Sequence, residues 1–409
     1  RGTDGIAGGA VRASAGPFFA YARGEYQHAP GEGPYSDGQR QYIAQLDSVG
    51  ELPPVRVAPV NRFELLDTYA GINIKNWEFS FGRQTLWWGS SEGGPFLFSD
   101  NAAPVDMLRI NRVVPFRLPG VLGILGPMRV DFMVGRPRGQ LTPAGQWIQG
   151  LRLGFKMTQN FEFGLTKTAQ FGGVGRPGGF SAFWHALFPI HELQSELTGG
   201  PNYSNQEMSF DFLYRLRRYA TFYSEFLGSD DPHPFDAPTR MAVNTGLYLP
   251  RLPRLPHLDL RVEGIYDDTP NNDFLKPSRA FLHYWHYIYT SGYTNDGYLL
   301  GNPIGRAAKG FSAQATYWFS STHRLTVGLR RTVVDSHQGH PTGEADVTLP
   351  GGANWTDFSV QEERHLRSGL FVRSLFQIER LHYPILFPNR TMNVTASVEF
   401  GFAPEGGWR

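Results

Sequence analysis

Apolar and polar side chains alternate strictly along segment after segment of this chain, and nothing else in the sequence constrains the fold as tightly. Met128, Val130, Phe132 and Val134 alternate with Arg129, Asp131 and Met133. Trp147, Leu151, Leu153, Phe155 and Met157 oppose Gly150, Arg152, Gly154 and Lys156. Phe161, Phe163, Leu165, Ala169 and Phe171 oppose Glu162, Thr166, Thr168 and Gln170, and Met208 to Leu216 and Met392 to Phe402 repeat the pattern. A period of two places one set on each face of a β-strand. The alternation predicts strands near 11–27, 62–75, 77–85, 106–114, 127–136, 147–157, 161–171, 206–217, 219–228, 240–249, 257–266, 310–320, 324–334, 356–363, 366–378 and 391–402, sixteen in all.

Two architectures use such strands. A soluble sandwich buries the apolar face in a core, whereas an outer-membrane barrel turns it to lipid and keeps the polar face around the lumen. The strands here exceed the usual five or six residues, and their polar faces carry Arg, Lys, Glu and Asp in mid-strand. With the first strand rising from the periplasm, the inside connections fall at Asn76, 115–126, 158–160, Arg218, 250–256, 321–323 and near Arg364, most of them short. Longer ones, at 86–105, 172–205, 229–239, 267–309 and 335–355, fall on the other side. Bacterial barrels sort their loops in this way and sandwiches have no reason to. The expected fold is therefore all-β: a closed antiparallel transmembrane β-barrel of 16–18 strands, one domain over 1–409, with long extracellular loops. One short helical element is expected near 37–49, with Asp37 as cap and Tyr42, Ile43 and Leu46 at helical spacing. Phe132, Leu153, Phe163, Phe212 and Val398 should face lipid, and Asp131, Arg152, Glu162, Asp211 and Glu399 the lumen. Arg129, Arg152, Lys156 and Arg215 should pair there with Asp131, Glu162, Asp211 or Glu225, because a lone desolvated ion costs several kcal/mol.

Composition narrows the function. Thirty-eight Lys and Arg balance 37 Asp and Glu, which gives no electrostatic case for nucleic acid. Cysteine is absent, so disulfides and thiolate metal sites are excluded. The longest apolar stretch, Leu118 to Met128, is broken by prolines and too short for a spanning helix. Arg1 and its neighbours carry no signal-peptide pattern, which fits a cytosolic chain or one numbered from a mature residue.

The motifs point away from catalysis. Gly89-Ser-Ser91-Glu-Gly93 resembles a nucleophile elbow but lacks the strand–turn–helix setting of that motif. Gly173-Val-Gly175-Arg-Pro-Gly178 contains a proline and no βαβ unit follows, so it reads as a loop. His191-Glu192 has Ser195 where a second zinc ligand would stand. His283 and His286 could share a metal on one helical turn, but among Phe281, Tyr284, Trp285, Tyr287 and Tyr289 they read better as interfacial residues. No catalytic residue, metal or cofactor is expected. Trp87 and Trp88 have two readings. They anchor an aromatic girdle, or they offer a platform for sugar rings with Arg83, Gln84, Asp100 and Asn101 beside them.

Three stretches resemble the Wzi family of capsule-assembly outer-membrane proteins. They are Phe81-Gly-Arg-Gln-Thr-Leu-Trp-Trp-Gly89 with Ser99-Asp-Asn-Ala-Ala-Pro104 and Arg109, then Asn205-Gln-Glu-Met-Ser-Phe-Asp-Phe212 with Tyr223-Ser-Glu-Phe226 and Asp230-Asp231, then Tyr289-Thr-Ser-Gly-Tyr-Thr-Asn-Asp-Gly-Tyr-Leu-Leu-Gly-Asn-Pro-Ile-Gly305. The chain departs from the family at Trp88-Gly-Ser-Ser-Glu-Gly-Gly, where Trp-Gly-Pro-Gly is expected. The resemblance implies an eighteen-stranded barrel and a lectin-like anchor for capsular or other surface polysaccharide. It implies no enzyme activity. A porin-type diffusion channel and a structural subunit of a surface assembly, holding other surface proteins, remain as alternatives. Outer-membrane lipid and the barrel-assembly machinery are the further partners, the latter because Val394 to Phe402 resembles a C-terminal assembly strand. Polysaccharide contacts are expected from Arg83, Gln84, Trp87, Trp88, Asp100, Asn101, Tyr293, Asn295 and Asp296, on two outside loops that approach each other.

Overall fold

A computed structural model describes residues 3–31, 35–38, 40–41, 59–188, 204–229, 241–267, 283–286, 288–334, 353–366, 369–382 and 391–403. The chain divides into two compact units. The first holds β1 (Gly5–Ala15), β2 (Phe18–Ala29), β3 (Val60–Ile74), β4 (Trp77–Gln84), β5 (Val105–Arg112), β6 (Phe116–Arg117), β7 (Pro127–Arg136), β8 (Trp147–Phe155) and β9 (Phe161–Phe171). It also takes in the first part of β10 (Ser204–Leu216), the end of β11 (Ala220–Ser229), and a small hairpin of β14 (Thr294–Asn295) and β15 (Tyr298–Leu299). The second holds β12 (Ala242–Leu249), β13 (Leu258–Tyr266), β16 (Ala308–Ser320), β17 (His323–Val334), β18 (Ala353–His365), β19 (Leu370–His382) and β20 (Met392–Phe402). In both, sequence neighbours pair antiparallel as a meander, with β6 continuing β5 along β7.

Fifteen of the sixteen expected segments each correspond to one strand of eight residues or more. The exception is 11–27, which is a hairpin. Gly16 stands at φ +57°, Pro17 follows, and β1 and β2 pair from Ala15↔Phe18 outward. Proline supplies no ladder donor and the left-handed glycine reverses the chain, so the turn breaks a run whose alternation continues through it. Seventeen long strands therefore occur among the described residues. The helical start near 37 is present at 37, 38, 40 and 41, with Arg40 paired to Asp37. Ser36, not Asp37, supplies the first carbonyl acceptor, and residues 42–49 lie outside the described residues. So do His191, Ser195, Asp230 and Asp231.

Loops sort as the alternation implies. In the first unit tight turns close the strands at one end, at Gly16–Pro17 and at Lys75–Asn76 with both residues at positive φ; in the second unit 217–219 and 321–322 are equally tight. A longer connection at 118–126 lies between β6 and β7 and holds a short 3-10 helix at Gly120–Leu125. At the other end of the first unit stand 85–104, 137–146 and the start of 172–203.

The two faces are chemically distinct. On one face of the first unit Phe155, Phe161, Phe163, Phe210, Phe212 and Phe226 form a ladder of rings 4.7 to 6.4 Å apart. The opposite face carries Arg109–Asp131, bidentate with one bond at 2.8 Å, and Arg152–Asp211 at 2.6 Å. Lys156–Glu162 follows at 3.0 Å. In the second unit Arg324, Glu363, Arg373 and Glu399 lie directly opposite one another in register and pair at 2.7 to 3.2 Å. Two of the expected pairs, Arg152–Asp211 and Lys156–Glu162, are thus present, while Glu225 accepts from a backbone N–H. Asp131 takes Arg109, and Arg129 donates to the Val113 carbonyl. Phe132 also differs from expectation. It lies under Phe183 of the helix Gly179–Leu187, edge to face at 6.4 Å.

Candidate functional site

The segment after β4 turns back onto the polar face of its own unit. Trp88 is 2% exposed and its indole Nε1 donates to Asp131 Oδ2 at 3.0 Å. Asp131 is thereby held by both Trp88 and Arg109. The indole lies over Gly150 of β8, where a Cβ would come within 2.7 Å of the ring; a side chain at 150 would displace it. Trp88 N–H donates to the Phe98 carbonyl, and the rings of the two meet edge to face at 5.1 Å. Phe96, Leu97 and Phe98 are fully buried, and the Phe96 N–H donates to Glu225 Oε1 at 3.1 Å. A buried glutamate is thus used to pin a loop by its backbone.

A second segment, 283–303, docks on the first. Ser99 N–H donates to the Leu300 carbonyl at 2.8 Å, Ser99 Oγ to the Gly301 carbonyl, and Asn101 Nδ2 to the Leu299 carbonyl at 2.9 Å. Tyr284 reaches the Phe96 carbonyl with its hydroxyl and Glu207 with its backbone N–H. Gln170 of β9 donates to the Gly292 carbonyl. The turn of the β14–β15 hairpin is Asp296-Gly297, both at positive φ, the two-residue hairpin chemistry that Asp-Gly favours. Asn295, fully buried, accepts from Arg138 N–H at 2.7 Å and donates to the Ala103 carbonyl at 2.7 Å. Its side chain therefore ties three loops together.

These contacts decide what each expected site residue can offer. Arg83 and Gln84 are neighbours on a strand and face opposite ways. Arg83 lies on the apolar side, opposite Asp106 in register, and bonds Asp106 and the Leu65 carbonyl. Gln84 is buried on the polar side, where it accepts from Ser80. They cannot line one ligand site together. Trp88, Tyr293 and Asn295 are buried, and their polar or ring faces are occupied by protein. Asn101 is half-buried with its amide spent on Leu299. Trp87, at 43% exposure, and Asp100 remain open, and Asp296 keeps exposure beside Arg138, 2.8 Å away. Sequence reading missed Tyr298, 64% exposed next to Leu299, and Arg138, which also approaches Glu64 at 4.0 Å. The signal for Tyr298 was its place directly after the Asp-Gly turn.

Exposed Trp87, Asp100 and Tyr298 stand on three backbone segments that hydrogen-bond side by side, at 88/98, 99/300 and 101/299. An indole, a phenol, carboxylates and a guanidinium exposed on neighbouring segments are the groups that stack on a sugar ring and bond its hydroxyls or an acidic substituent. His283 and His286 sit on a turn, not a helix, and are buried; His286 Nδ1 accepts from the Ile288 N–H. Burial, with Arg176 nearby, lowers the His286 pKa to about 4. No cluster of three metal-ligating side chains occurs among the described residues. Gly89 to Gly93 and Gly173 to Gly178 are loop, with neither a nucleophile elbow nor a βαβ turn.

Three relationships to known proteins bear on this arrangement. A family model described as Capsule assembly protein Wzi matches residues 1–396. The Escherichia coli outer-membrane protein Wzi, described as a carbohydrate-binding β-barrel involved in group 1 capsule assembly, aligns with TM-score 0.70 at 18% identity. That alignment covers 97% of this chain and 77% of that one, and it bears on the fold alone. An uncharacterized 55.8 kDa protein from the cps region of Klebsiella pneumoniae is 28% identical over 184 residues. The match takes in 43% of this chain and only 35% of that relative.

Proposed function

This chain belongs to the Wzi family of capsule-assembly proteins, and from that premise we propose that it is an outer-membrane barrel that binds surface polysaccharide and anchors it to the cell. It acts by binding and not by catalysis, and it needs no cofactor. The observation that carries the reading is the pair of loops docked on the polar face, which leaves Trp87, Asp100, Asp296 and Tyr298 exposed above a buried base of Trp88, Phe98, Tyr284 and Tyr293. Side chains held by a rigid base lose little entropy on binding a ligand. Each ring contributes about 1–3 kcal/mol by analogy with base stacking, too little to hold a polymer alone. Many barrels engaging repeats of one chain supply the rest through avidity.

Closure of the barrel is part of this proposal. In hydrocarbon an unpaired strand edge costs several kcal/mol for each unsatisfied backbone group. Antiparallel closure takes an even number of strands, one more than the seventeen long strands among the described residues. The apolar ring ladder supports the membrane placement, and the docked loops speak against the channel alternative.

The test is retention of capsular polysaccharide by the purified protein in detergent. Trp87→Ala and Tyr298→Ala should each weaken binding about tenfold while leaving thermal unfolding unchanged. Wild-type binding by both variants overturns the site, and large single-channel conductance in planar bilayers would favour the porin.

A further inference from the structure

The helix Gly179–Leu187 lies on the apolar face, not over the polar one. Ala182 and Ala186 are buried against Ala169 and Phe171 of β9, with Val134 packed alongside. Phe183 meets Phe132 of β7 and Phe171 edge to face. Ala169 and Phe171 share their side of β9 with Phe161, Phe163 and Leu165, and therefore with the ring ladder. Lys167 is the only charged residue on that side of β9, and its Nζ donates to the Ala186 and Leu187 carbonyls at 2.7 and 3.1 Å. The helix C-terminus, the negative end of its dipole, thus covers the one ion that the apolar face carries there.

The outward side of the helix is aromatic. Phe180 and Trp184, four residues apart, stack at 6.0 Å, and Trp184 meets Phe188 at 4.7 Å. They are 76%, 45% and 41% exposed. The helix contains no Asp or Glu. Its level follows from strand geometry. The eleven residues of β9 span roughly 33 Å, or about 23 Å along the normal at a ~45° tilt, close to the ~25 Å apolar band of such barrels. Ala169 and Phe171 stand at the long-loop end of that band, where hydrocarbon gives way to headgroups.

On the membrane reading given above, we propose that this helix is an interfacial anchor, with Phe180, Trp184 and Phe188 inserted among the lipids of the leaflet on the long-loop side. An aromatic stripe continuous with the lipid-facing ladder, with Trp at its centre and no acidic residue, matches the chemistry of the headgroup–acyl boundary. The helix keeps Lys167 out of hydrocarbon and fixes the depth of the barrel, and so the height at which the docked loops stand above the membrane.

The experiment is fluorescence quenching in vesicles of phosphatidylcholine brominated either near the headgroup or deep in the acyl chain. The Trp184 signal is wild type minus Trp184→Phe. A second tryptophan, Phe81→Trp in the Trp184→Phe background, probes the exposed apolar face of β4. Shallow bromines should quench Trp184 about twice as strongly as deep ones, and deep bromines should quench the residue at 81. If position 81 is quenched and Trp184 is reached only by aqueous acrylamide, or by neither quencher, the anchor is overturned and the barrel stands. If bromines quench neither position, the membrane reading itself fails.

Discussion

At the scale of single residues, the adjacent tryptophans differ in burial, Trp88 being packed and Trp87 the one that the proposed site uses. Trp88→Ala should cost about 3–5 kcal/mol, because it empties a fully packed site and removes a donor from Asp131. Thermal unfolding in micelles, followed by near-ultraviolet dichroism, measures this, and a shift no larger than that of Trp87→Ala would contradict the assignment. Arg152 and Asp211 give a sharper case, since Asp211 is 4% exposed in its side chain and bonds Arg152 twice. Asp211→Leu alone strands a guanidinium, at about 3 kcal/mol. Arg152→Met combined with Asp211→Leu should restore much of that loss, so a double-mutant cycle with additive terms would show that the pair is not coupled.

At the scale of elements, one amide joins the docked hairpin to two other loops at once. Asn295→Ala removes the acceptor for Arg138 N–H and the donor to Ala103, leaving buried backbone groups unpaired at about 1–3 kcal/mol. Faster hydrogen exchange and protease cleavage in 86–105 and 288–303 are expected, with the strands unchanged. Acid should act on the same segment. The His286 pKa is lowered to about 4 from 6.5 by burial, then by Arg176, so the docked form keeps the ring neutral and the released form takes up the proton first. Docking is at full strength above pH 6.5 and weakens as the pH falls toward 4, by roughly 3 kcal/mol at the limit. Protection that is level between pH 5 and 7.5, or that resists acid equally in His286→Gln, would remove this residue from the account.

For the whole molecule, the expectation concerns solvent. Leu165 is 44% exposed on the ring-ladder face of β9. Leu165→Arg should destabilise the lipid-embedded protein by about 2–4 kcal/mol, whereas a soluble protein would accept arginine at so exposed a site nearly without cost. Comparing unfolding of Leu165→Arg and Leu165→Ala in lipid vesicles decides it; equal midpoints would place this face in water.

The alternation by itself determined the strands, their faces and the sorting of the loops, because a period of two is local and each strand repeats it. Gly16-Pro17 escaped because apolar residues continue on both sides of that turn, and only the positive φ and the pairing of Ala15 with Phe18 reveal it. The nine expected binding residues were legible as a cluster but not as a site. Composition marks Trp87 and Trp88 alike, and Arg83 and Gln84 alike. Which indole is buried depends on Asp131 and Gly150, dozens of residues away, and which long polar side chain turns outward depends on the parity of β4. The helix Gly179–Leu187 lies within the expected loop 172–205, and its place shows only where Ala182 and Ala186 pack on Ala169 and Phe171. Periodicity states which residues share a face; only contacts between segments remote in sequence decide what covers that face, because burial is a property of the partner as much as of the residue.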